Sequence, residues 1–345
     1  MSVITIKDIA KQAGVSVATV SYVINKTRFV SPELTGRVLE AIEVLGYSPN
    51  AIARSLRQKS TKTIGLIVPD SSNPFFAEIA KGVEDAGYES GYSVILCNSN
   101  ASIERELVYL NLLNSKRVEG IIFIATTTQV EQIRPFVKAG IPVVIFYRDM
   151  EGVDVDTFYI DNFQAGYLAT EHLLRLGHRQ IACIQPASPS TPSGLRVEGY
   201  KHALKEAGLP WNEALMPRGD NRVSGGKAAA GVLAKGGKLF SAIFSTNDAM
   251  AIGAIRTLRE FGYQIPDQVS IVGVDDIILA SYTEPPLTTI AQPKYQAGCQ
   301  AVEFLIQRIE GGYDQGPRRV QLEIELIERN SSLPYKNILE TTGES

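Results

Sequence analysis

The chain has 345 residues, of which 44% are hydrophobic and 21% are charged, as in an ordinary globular protein with room for two or three domains. It has no N-terminal apolar segment typical of a secretory signal and no apolar run of roughly 20 residues, the length needed to cross a bilayer, so we expect a cytoplasmic protein without a membrane partner. The three cysteines (Cys97, Cys183 and Cys299) are expected to be buried small hydrophobes rather than disulfides or metal ligands.

The net charge of −3 conceals a segregated distribution of charge. Residues 1–62 hold nine Lys or Arg against four acids, whereas the rest of the chain holds 25 basic and 33 acidic residues. A basic N-terminal piece on an acidic body is typical of a protein that contacts nucleic acid phosphates at one place. We therefore expect DNA to contact the N-terminal part.

The beginning of the chain carries the pattern of short helices joined by a tight turn. Thr5 can cap a first helix, with Asp8 three residues on, and Gly14 can adopt the left-handed conformation that ends it. Ser16 can cap a second helix over 17–24. Two short helices joined by a turn containing Gly are typical of a helix-turn-helix, whose second helix lies in the major groove of DNA.

A third helix is predicted to begin at Ser31-Pro32 and to end at Gly46. The side chains left to point outward are small, hydroxyl or amide groups of the kind that contact thymine methyls, phosphates and base edges. The residues of this region predicted to contact DNA are Thr5, Ser16, Val17, Ala18, Thr19, Ser21, Tyr22 and Asn25. The same pattern would also fit a small three-helix domain that binds no nucleic acid.

A further short helix is predicted at about 50–57, and it completes an N-terminal DNA-binding domain over residues 1–60, the head. Such a short helix does not hold by itself in water. Leu56 could insert as an apolar wedge at a base step of the minor groove, with Arg54 and Arg57 at phosphates or the groove floor. The alternative is a basic linker between domains.

From Thr63 onward, apolar runs of strand length alternate with helical segments. Near-continuous Val, Ile and Leu strands between helices indicate a parallel sheet covered on both faces. One set of strands ends near Tyr147, and a second set begins after Asp161, which predicts two α/β lobes with a cleft between them. Helices are expected at about 74–90, 103–116, 130–139, 165–176, 196–207, 225–234 and 249–261.

Polar and aromatic side chains follow the carboxyl ends of these strands, which face the crevice of an open parallel sheet. Phe75 and Phe76 could stack on a ring beside the amide of Asn73. Further candidates at strand ends are Tyr147, Arg148, Arg196, Asn247, Asp275 and Gln292. Each residue alone would fit a core, surface or capping role, but their convergence favours a ligand-binding cleft.

No stretch of the sequence has the spacing of a catalytic or metal site. The three histidines, His172, His178 and His202, are scattered, and no zinc, P-loop or nucleophile-elbow motif is present. We expect these histidines at helix surfaces or caps. The sequence therefore predicts no enzyme activity, no cofactor and no metal.

Three runs, VSYVINKTRFVS, GYSPNAIARSL and TKTIGLIVPDSSNPFFAEI, resemble the lac-repressor family of bacterial transcription regulators, and most closely its purine- and ribose-repressor branch. The resemblance covers nearly the whole chain. It implies an all-α helix-turn-helix head with a hinge helix, followed over 61–345 by a two-lobed α/β domain with parallel sheets, like that of periplasmic binding proteins. The implied lobes are an N-lobe at about 62–160 and 292–322 and a C-lobe at about 161–291 and 323–340.

The resemblance also implies a function: a repressor of a catabolic operon that binds a palindromic operator as a homodimer, under the control of a small molecule held between the lobes. The candidate cleft resembles the sugar site of ribose-type binding proteins, in which two Phe stack on the sugar and polar side chains hold its hydroxyls. By this resemblance the effector residues are Asn73, Phe75, Phe76, Arg148, Arg196, Asn247, Asp275 and Gln292. The physics agrees, because an aldose offers a CH-rich face to aromatic rings and hydroxyls to buried polar groups.

Three positions depart from the relatives' patterns. Tyr147 stands where the family often has Asp, which puts ribose itself in doubt. Residues 190–192 are Ser-Thr-Pro and lack an Arg that purine-binding relatives use, and Asn221 stands where those relatives have a stacking Phe. Tyr147 and Asn221 are nevertheless included among the predicted effector residues, which makes ten in all. The departures favour a pentose or related sugar over a purine.

Two other functions stay open, as does the direction of control. A repressor that responds to a purine or another metabolite is the first alternative, and a periplasmic-type sugar-binding protein without a DNA function is a distant one. The effector could release the protein from DNA or promote binding.

Overall fold

The structure is a computed structural model that describes residues 4–47, 60–124, 130–147, 152–186, 188, 192–237 and 239–336. It divides into two compact units, residues 1–61 and residues 62–345. The change from short helices to alternating strands and helices, which the sequence places at Thr63, falls next to this boundary.

The smaller unit contains three described helices: α1 (Ile6–Ala13), α2 (Val17–Asn25) and α3 (Pro32–Leu45). α1 begins at a capping box, in which the Asp8 carboxylate accepts from the Thr5 N–H at 2.8 Å, and it ends at Gly14 with a left-handed φ of 63°. Arg37 donates to the carbonyl of Ala13 at 2.6 Å and so fixes the turn between α1 and α2. The core of this unit consists of Ile9, Ala10, Ala13, Val20, Val38 and Ala41. The predicted helix-turn-helix is confirmed.

The larger unit alternates strands and helices. Its described strands are β1 (Thr63–Val68), β2 (Ser93–Asn98), β3 (Gly120–Ile124), β4 (Val143–Phe146), β5 (Asp156–Ile160), β6 (Ile181–Ile184), β7 (Ala242–Ser245), β8 (Ser270–Asp275), β9 (Thr288–Ala291), β10 (Arg319–Leu322) and β11 (Glu325–Ile327). Its described helices are α4 (Pro74–Glu89), α5 (Ile103–Ser115), α6 (Val130–Lys138), α7 (Asn162–Arg175), α8 (Gly194–Glu206), α9 (Val223–Lys235), α10 (Asp248–Glu260) and α11 (Lys294–Ile309).

These elements build two lobes, each on its own sheet. The first lobe has six parallel strands in the order β10-β5-β4-β3-β1-β2. The second has the order β11-β9-β8-β7-β6, parallel except for β11, which runs antiparallel to β9. Central strands such as β3, β4 and β7 are buried along their whole length, as parallel strands covered by helices on both faces must be. The predicted fold class is confirmed.

The chain passes between the lobes three times. It enters the second lobe after β5, returns to the first with α11 after β9, and crosses again between β10 and β11. α11 packs against α4 so closely that a Cβ on Gly82 would lie 2.2 Å from the carbonyl oxygen of Tyr295. This late helix therefore belongs to the first lobe.

Several helices begin earlier than the sequence predicts. α7 begins at Asn162 rather than near residue 165, because the Asp161 carboxylate accepts from the N–H of Gln164 at 2.8 Å and caps the helix there. α8 and α9 each begin two residues before their expected starts.

The expectation for two of the histidines is wrong. His172 and His178 are buried rather than placed at a helix surface or cap. The His172 Nε2 lies 2.9 Å from the Ser332 Oγ, and the His178 Nε2 lies 3.1 Å from the Leu333 carbonyl. These contacts fasten the segment after β11 to the second lobe, and burial lowers the pKa of both imidazoles. His202, by contrast, is half-exposed on α8.

All three cysteines are free, as expected. Cys97 and Cys183 are buried, whereas Cys299 is only partly so.

Candidate functional sites: the α2 face and the cleft between the lobes

Several side chains predicted to contact DNA are exposed at the start of α2. Val17 is 42% exposed, Ser16 and Ala18 are also exposed, and Thr19 is half-buried. The Ser16 Oγ accepts from the N–H of Thr19 at 3.0 Å, and the Thr5 Oγ1 donates to Asp8 at 2.7 Å, so both predicted residues also cap helices. The side chains exposed here are small, so the helix can approach a DNA groove closely.

Ser21 is a correction to the predicted face. The sequence predicts that it points outward, but it is buried, and the Asn25 amide one turn later donates to its carbonyl at 2.8 Å and to its Oγ at 3.2 Å. Asn25 is itself half-buried, and so is Tyr22, whose ring lies 5.3 Å from the Arg28 guanidinium.

The hinge helix at 50–57, with Arg54, Leu56 and Arg57, lies outside the described residues.

A cavity of about 310 Å³ opens between the two lobes of the larger unit. Eight of the ten predicted effector residues line it: Asn73, Phe75, Phe76, Tyr147, Arg196, Asn221, Asn247 and Asp275. Gln292 stands behind the wall and donates to the Asp275 Oδ1 at 2.8 Å. Arg148 lies outside the described residues.

The wall contributed by the first lobe is aromatic. Asn73 caps α4 by accepting from the Phe75 N–H at 3.0 Å, and this cap places both phenylalanines at the cavity. The Phe75 ring meets Phe76 edge-on at 5.2 Å and lies 5.3 Å from the ring of Tyr147. The Asn73 oxygen is used for the cap, whereas its amide nitrogen has no partner among the described residues and can donate to a ligand.

Tyr147 is held in a conformation unusual for a side-chain-bearing residue, with a φ of 67° at the end of β4. It is 8% exposed, and its hydroxyl has no hydrogen-bond partner among the described residues. Burial and the nearby Asp275 carboxylate raise the pKa of this phenol well above its usual value, so the hydroxyl stays protonated. A ligand oxygen could satisfy it.

The wall contributed by the second lobe is polar and centred on Arg196. This buried guanidinium donates through Nε to the Asn162 Oδ1 at 2.9 Å and through Nη1 to the Thr246 carbonyl at 2.6 Å and the Asp275 Oδ1 at 3.2 Å. A Cβ on Gly166 of α7 would lie 1.9 Å from the Arg196 carbonyl oxygen, so only glycine permits this approach of α8.

Asn247 takes a different role from the other polar residues of the wall. Its Oδ1 accepts from the Met250 N–H at 2.9 Å, and its Nδ2 donates to the Asn221 carbonyl at 3.0 Å. Both polar atoms are engaged within the protein, so this residue mainly shapes the cavity.

A second buried carboxylate, Asp248, lies near Asp275 but does not line the cavity. Asp248 accepts from the Thr289 Oγ1 at 2.6 Å and from the Ile277 N–H at 3.0 Å, but it has no cation partner among the described residues. Burial and the charge of Asp275 raise the pKa of Asp248 to about 7. Burial also raises the pKa of Asp275, although Arg196 and Lys294 oppose that shift.

Several residues of the cavity are not among those predicted from the sequence. The described lining also includes Asp70, Asn100, Asn162, Asp220 and Arg222. Asp70 and Asn100 come two residues after β1 and β2. They could have been predicted, because residues after the carboxyl ends of parallel strands face the crevice. Nothing in the sequence marks Arg222, which reaches across the mouth to both of them.

Among the described residues, no cluster of His, Cys, Asp or Glu could hold a metal ion, and no helix is long and apolar enough to cross a membrane.

Two known families match the two units of the chain. Residues 5–50 match the bacterial regulatory proteins of the lacI family, and residues 61–330 match the periplasmic binding proteins and sugar binding domain of the LacI family. The chain belongs to the LacI family. The resemblance seen in the sequence is thereby confirmed.

Relatives of this LacI-family protein include repressors of both branches seen in the sequence. It is 41% identical to the ribose operon repressor of Escherichia coli (strain K12) over 95% of this chain and 99% of that protein. It is 40% identical to the HTH-type transcriptional repressor PurR of Aliivibrio fischeri (strain MJ11), over 95% of this chain and 98% of that one.

Two solved structures of the LacI family share its architecture. The lac repressor dimer bound to operator and the anti-inducer ONPF has a TM-score of 0.83 at 27% identity, covering 96% of this chain and 100% of that one. A LacI family transcriptional regulator from Enterococcus faecium with bound ribose has a TM-score of 0.73 at 33% identity, covering 79% of this chain and 100% of that one.

Proposed function

We propose that this LacI-family protein is a transcriptional repressor without enzyme activity, which binds a palindromic operator as a homodimer and responds to a pentose or related sugar in the cleft. The cavity carries the proposal, because an aromatic wall and a buried Arg–Asp pair face each other in a chain that also holds a helix-turn-helix. The proposed division is a head at 1–60, with a hinge helix at about 50–57, and a two-lobed effector domain at 61–345. Its lobes are assigned to about 62–160 with 292–322 and 161–291 with 323–340.

The head supports DNA binding through its charge and its surface. It is basic on an otherwise acidic chain, and the exposed side chains at the start of α2 are Ser16, Val17 and Ala18. Small side chains at the N-terminal end of such a helix can approach base edges closely. The operator-bound dimer of the lac repressor, which shares this architecture, supports a two-fold dimer on a palindrome.

The cleft supports a polyhydroxylated ligand. The Asp275 Oδ1 is taken by Arg196 and Gln292, whereas its Oδ2 has no partner among the described residues and can accept from a hydroxyl. The Arg196 Nη2 is likewise uncommitted among those residues and can donate to the same ligand. Neighbouring hydroxyls of a sugar match this donor and acceptor pair, while its CH face matches the rings of Phe75 and Phe76.

A purine is the second candidate, because PurR proteins are among the relatives. All three aromatic rings in the described lining belong to the first lobe: Phe75, Phe76 and Tyr147. The second lobe offers Asn221 and other polar residues but no described ring to cover the opposite face of a base. This one-sided stacking favours the sugar.

The proposal is tested by two measurements on the purified protein. Isothermal titration with D-ribose, other pentoses, hexoses and nucleobases identifies the effector, and fluorescence anisotropy with duplexes selected from a palindromic library identifies the operator. Arg196→Ala and Asp275→Asn are expected to lose the response to the effector and to keep basal DNA binding. Arg256→Ala, which breaks an exposed ion pair on α10, is the control.

Two results would contradict the proposal. One is the failure to select any specific duplex with or without ligands. The other is a titration in which both cleft variants bind the effector as tightly as the parent protein does.

A further inference from the structure

Lys294, the first residue of α11, has its ammonium buried at the junction of the two lobes, with only 5% of the residue exposed. Its Nζ donates to the carbonyl oxygens of Asp275 and Asp276 at 2.7 Å each and lies 3.4 Å from the Gln292 carbonyl. The Glu78 carboxylate stands 3.5 Å away. A buried ammonium needs a partner for each hydrogen, and here residues of both lobes supply them.

The two carbonyls belong to backbone in an unfavourable conformation. Asp275 has a φ of 125° and Asp276 a φ of 50°, and neither is glycine. Such a conformation persists only where the surroundings hold it in place. Lys294 holds both carbonyls at once, and the Arg329 guanidinium, 2.7 Å from the Asp276 carboxylate, adds a second restraint.

The same cluster reaches the aromatic wall. Glu78 lies on α4, the helix that begins with Asn73 and carries both cavity phenylalanines. Its Oε2 faces Lys294, and its Oε1 accepts from the N–H of Ile278 in the second lobe at 3.3 Å. Residues of the first lobe therefore hold the strained turn that orients the Asp275 carboxylate.

We propose that Lys294 is a positioning residue of the effector site. It sets the orientation of the Asp275 carboxylate and makes that orientation depend on the angle between the lobes. The inference rests on the effector function proposed above. Lys294 moves with α11, whereas the carbonyls move with β8, so a change in lobe angle displaces one relative to the other. By reciprocity, a ligand that fixes Asp275 favours the lobe angle at which Lys294 reaches both carbonyls.

The first test needs no ligand and uses Lys294→Met in the full-length protein. Methionine keeps much of the apolar stem but removes the ammonium. Hydrogen–deuterium exchange is expected to accelerate at the amides of residues 276–278, while the amides of β7 and β8 stay protected. Lys205→Met, at an exposed position in the last turn of α8, is the control and is expected to change nothing.

The second test is titration with D-ribose. Lys294→Met is expected to raise the Kd for D-ribose, and the D-ribose concentration at half-maximal change in operator affinity, by about tenfold or more. Lys294→Gln keeps one donor nitrogen. Its Kd and its half-maximal D-ribose concentration are expected to lie between those of the parent protein and those of Lys294→Met. It also replaces Lys294→Met in both tests if that variant does not fold.

The outcomes separate the two proposals. Uniformly faster exchange throughout both sheets, or unchanged exchange at 276–278, would overturn the role of Lys294. Locally faster exchange with unchanged D-ribose affinity would also overturn it. A parent protein that binds no D-ribose would count against the proposed effector, and the exchange experiment alone would then decide the role of Lys294.

Discussion

The Arg222 guanidinium lies 2.8 Å from the Asp70 carboxylate and bridges the mouth of the cavity. Arg222 comes just before α9 in the second lobe, whereas Asp70 follows β1 in the first, and Arg222 also donates to the Asn100 Oδ1 at 3.0 Å. The Arg222 side chain is 55% exposed, and exposed pairs stabilise a fold by at most about 1 kcal/mol. Its position therefore bears on ligand entry and exit more than on folding.

Removing this bridge is expected to change the kinetics of effector binding. In Arg222→Ala, both association and dissociation of the effector should be faster in stopped-flow experiments, because opening the cleft no longer requires breaking the ion pair. Arg256→Ala serves as the control. The double variant Arg222→Asp with Asp70→Arg should partly restore slow exchange, and rates equal to the parent's in Arg222→Ala would refute the idea.

The buried pair of Asp248 and Asp275 predicts a pH dependence of stability. The pKa of Asp248 is raised from its usual 3.8 to about 7 by burial and by Asp275, so the folded state binds this proton more tightly than the unfolded chain does. The stabilising contribution is present in full below pH 3.8 and is lost as pH rises through about 7.

Asp248→Asn is expected to flatten the fall in the free energy of unfolding between pH 5 and 7.5, by at most about 1.4 kcal/mol per pH unit. Urea unfolding at several pH values measures how the free energy of unfolding changes with pH. Asp267→Asn, at an exposed position, should keep the parent's slope. An equal slope in the parent and in Asp248→Asn would show that Asp248 does not take up the proton.

The contact between α7 and α8 predicts that Gly166 cannot be replaced. In Gly166→Ala the new methyl would lie 1.9 Å from the Arg196 carbonyl oxygen, so α8 must shift and carry Arg196 with it. We expect a loss of both stability and effector affinity, measured by thermal unfolding and titration. Gly231→Ala on α9, where a Cβ meets nothing within 4 Å, should be neutral or stabilising by up to about 1 kcal/mol. Similar behaviour of the two variants would contradict the packing argument.

The proposed hinge helix predicts separate effects on DNA and on the effector. Leu56→Ala should weaken specific operator binding by about tenfold, equivalent to about 1.4 kcal/mol, because it removes only the apolar wedge. Effector binding should be unchanged. Leu239→Ala, at an exposed leucine of the second lobe, is the control for anisotropy measurements. An unchanged operator affinity would remove Leu56 from this role.

Local chemistry made much of the fold predictable. The caps at Thr5 and Ser16 and the stop at Gly14 depend on atoms a few residues apart, so the sequence predicts the bounds of α1 and α2 to within a residue. The alternation of strands and helices likewise follows from hydrophobic periodicity. Because parallel strands end at one edge, strand-end residues such as Arg196 and Asp275 could be placed at a common cleft before their contacts were known.

The tertiary structure decided what the periodicity could not. His172 and His178 are buried against Ser332 and Leu333, which lie 160 and 155 residues further along the chain. The sequence predicts neither α11 nor a role for Lys294. Lys294 is buried because α11, which packs in the first lobe, begins next to the carbonyls of Asp275 and Asp276 in the second.

The sequence by itself therefore determined the helix-turn-helix, the two-lobed fold, the family and eight of the residues that line the cleft, since these follow from short-range periodicity and from motifs. Only the tertiary structure paired Arg222 with Asp70 and Lys294 with the backbone of Asp275. Arg222 and Asp70 are 152 residues apart in the chain, whereas Lys294 and Asp275 are 19 residues apart. Both pairs join residues of different lobes, so their pairing depends on how the two sheets are connected.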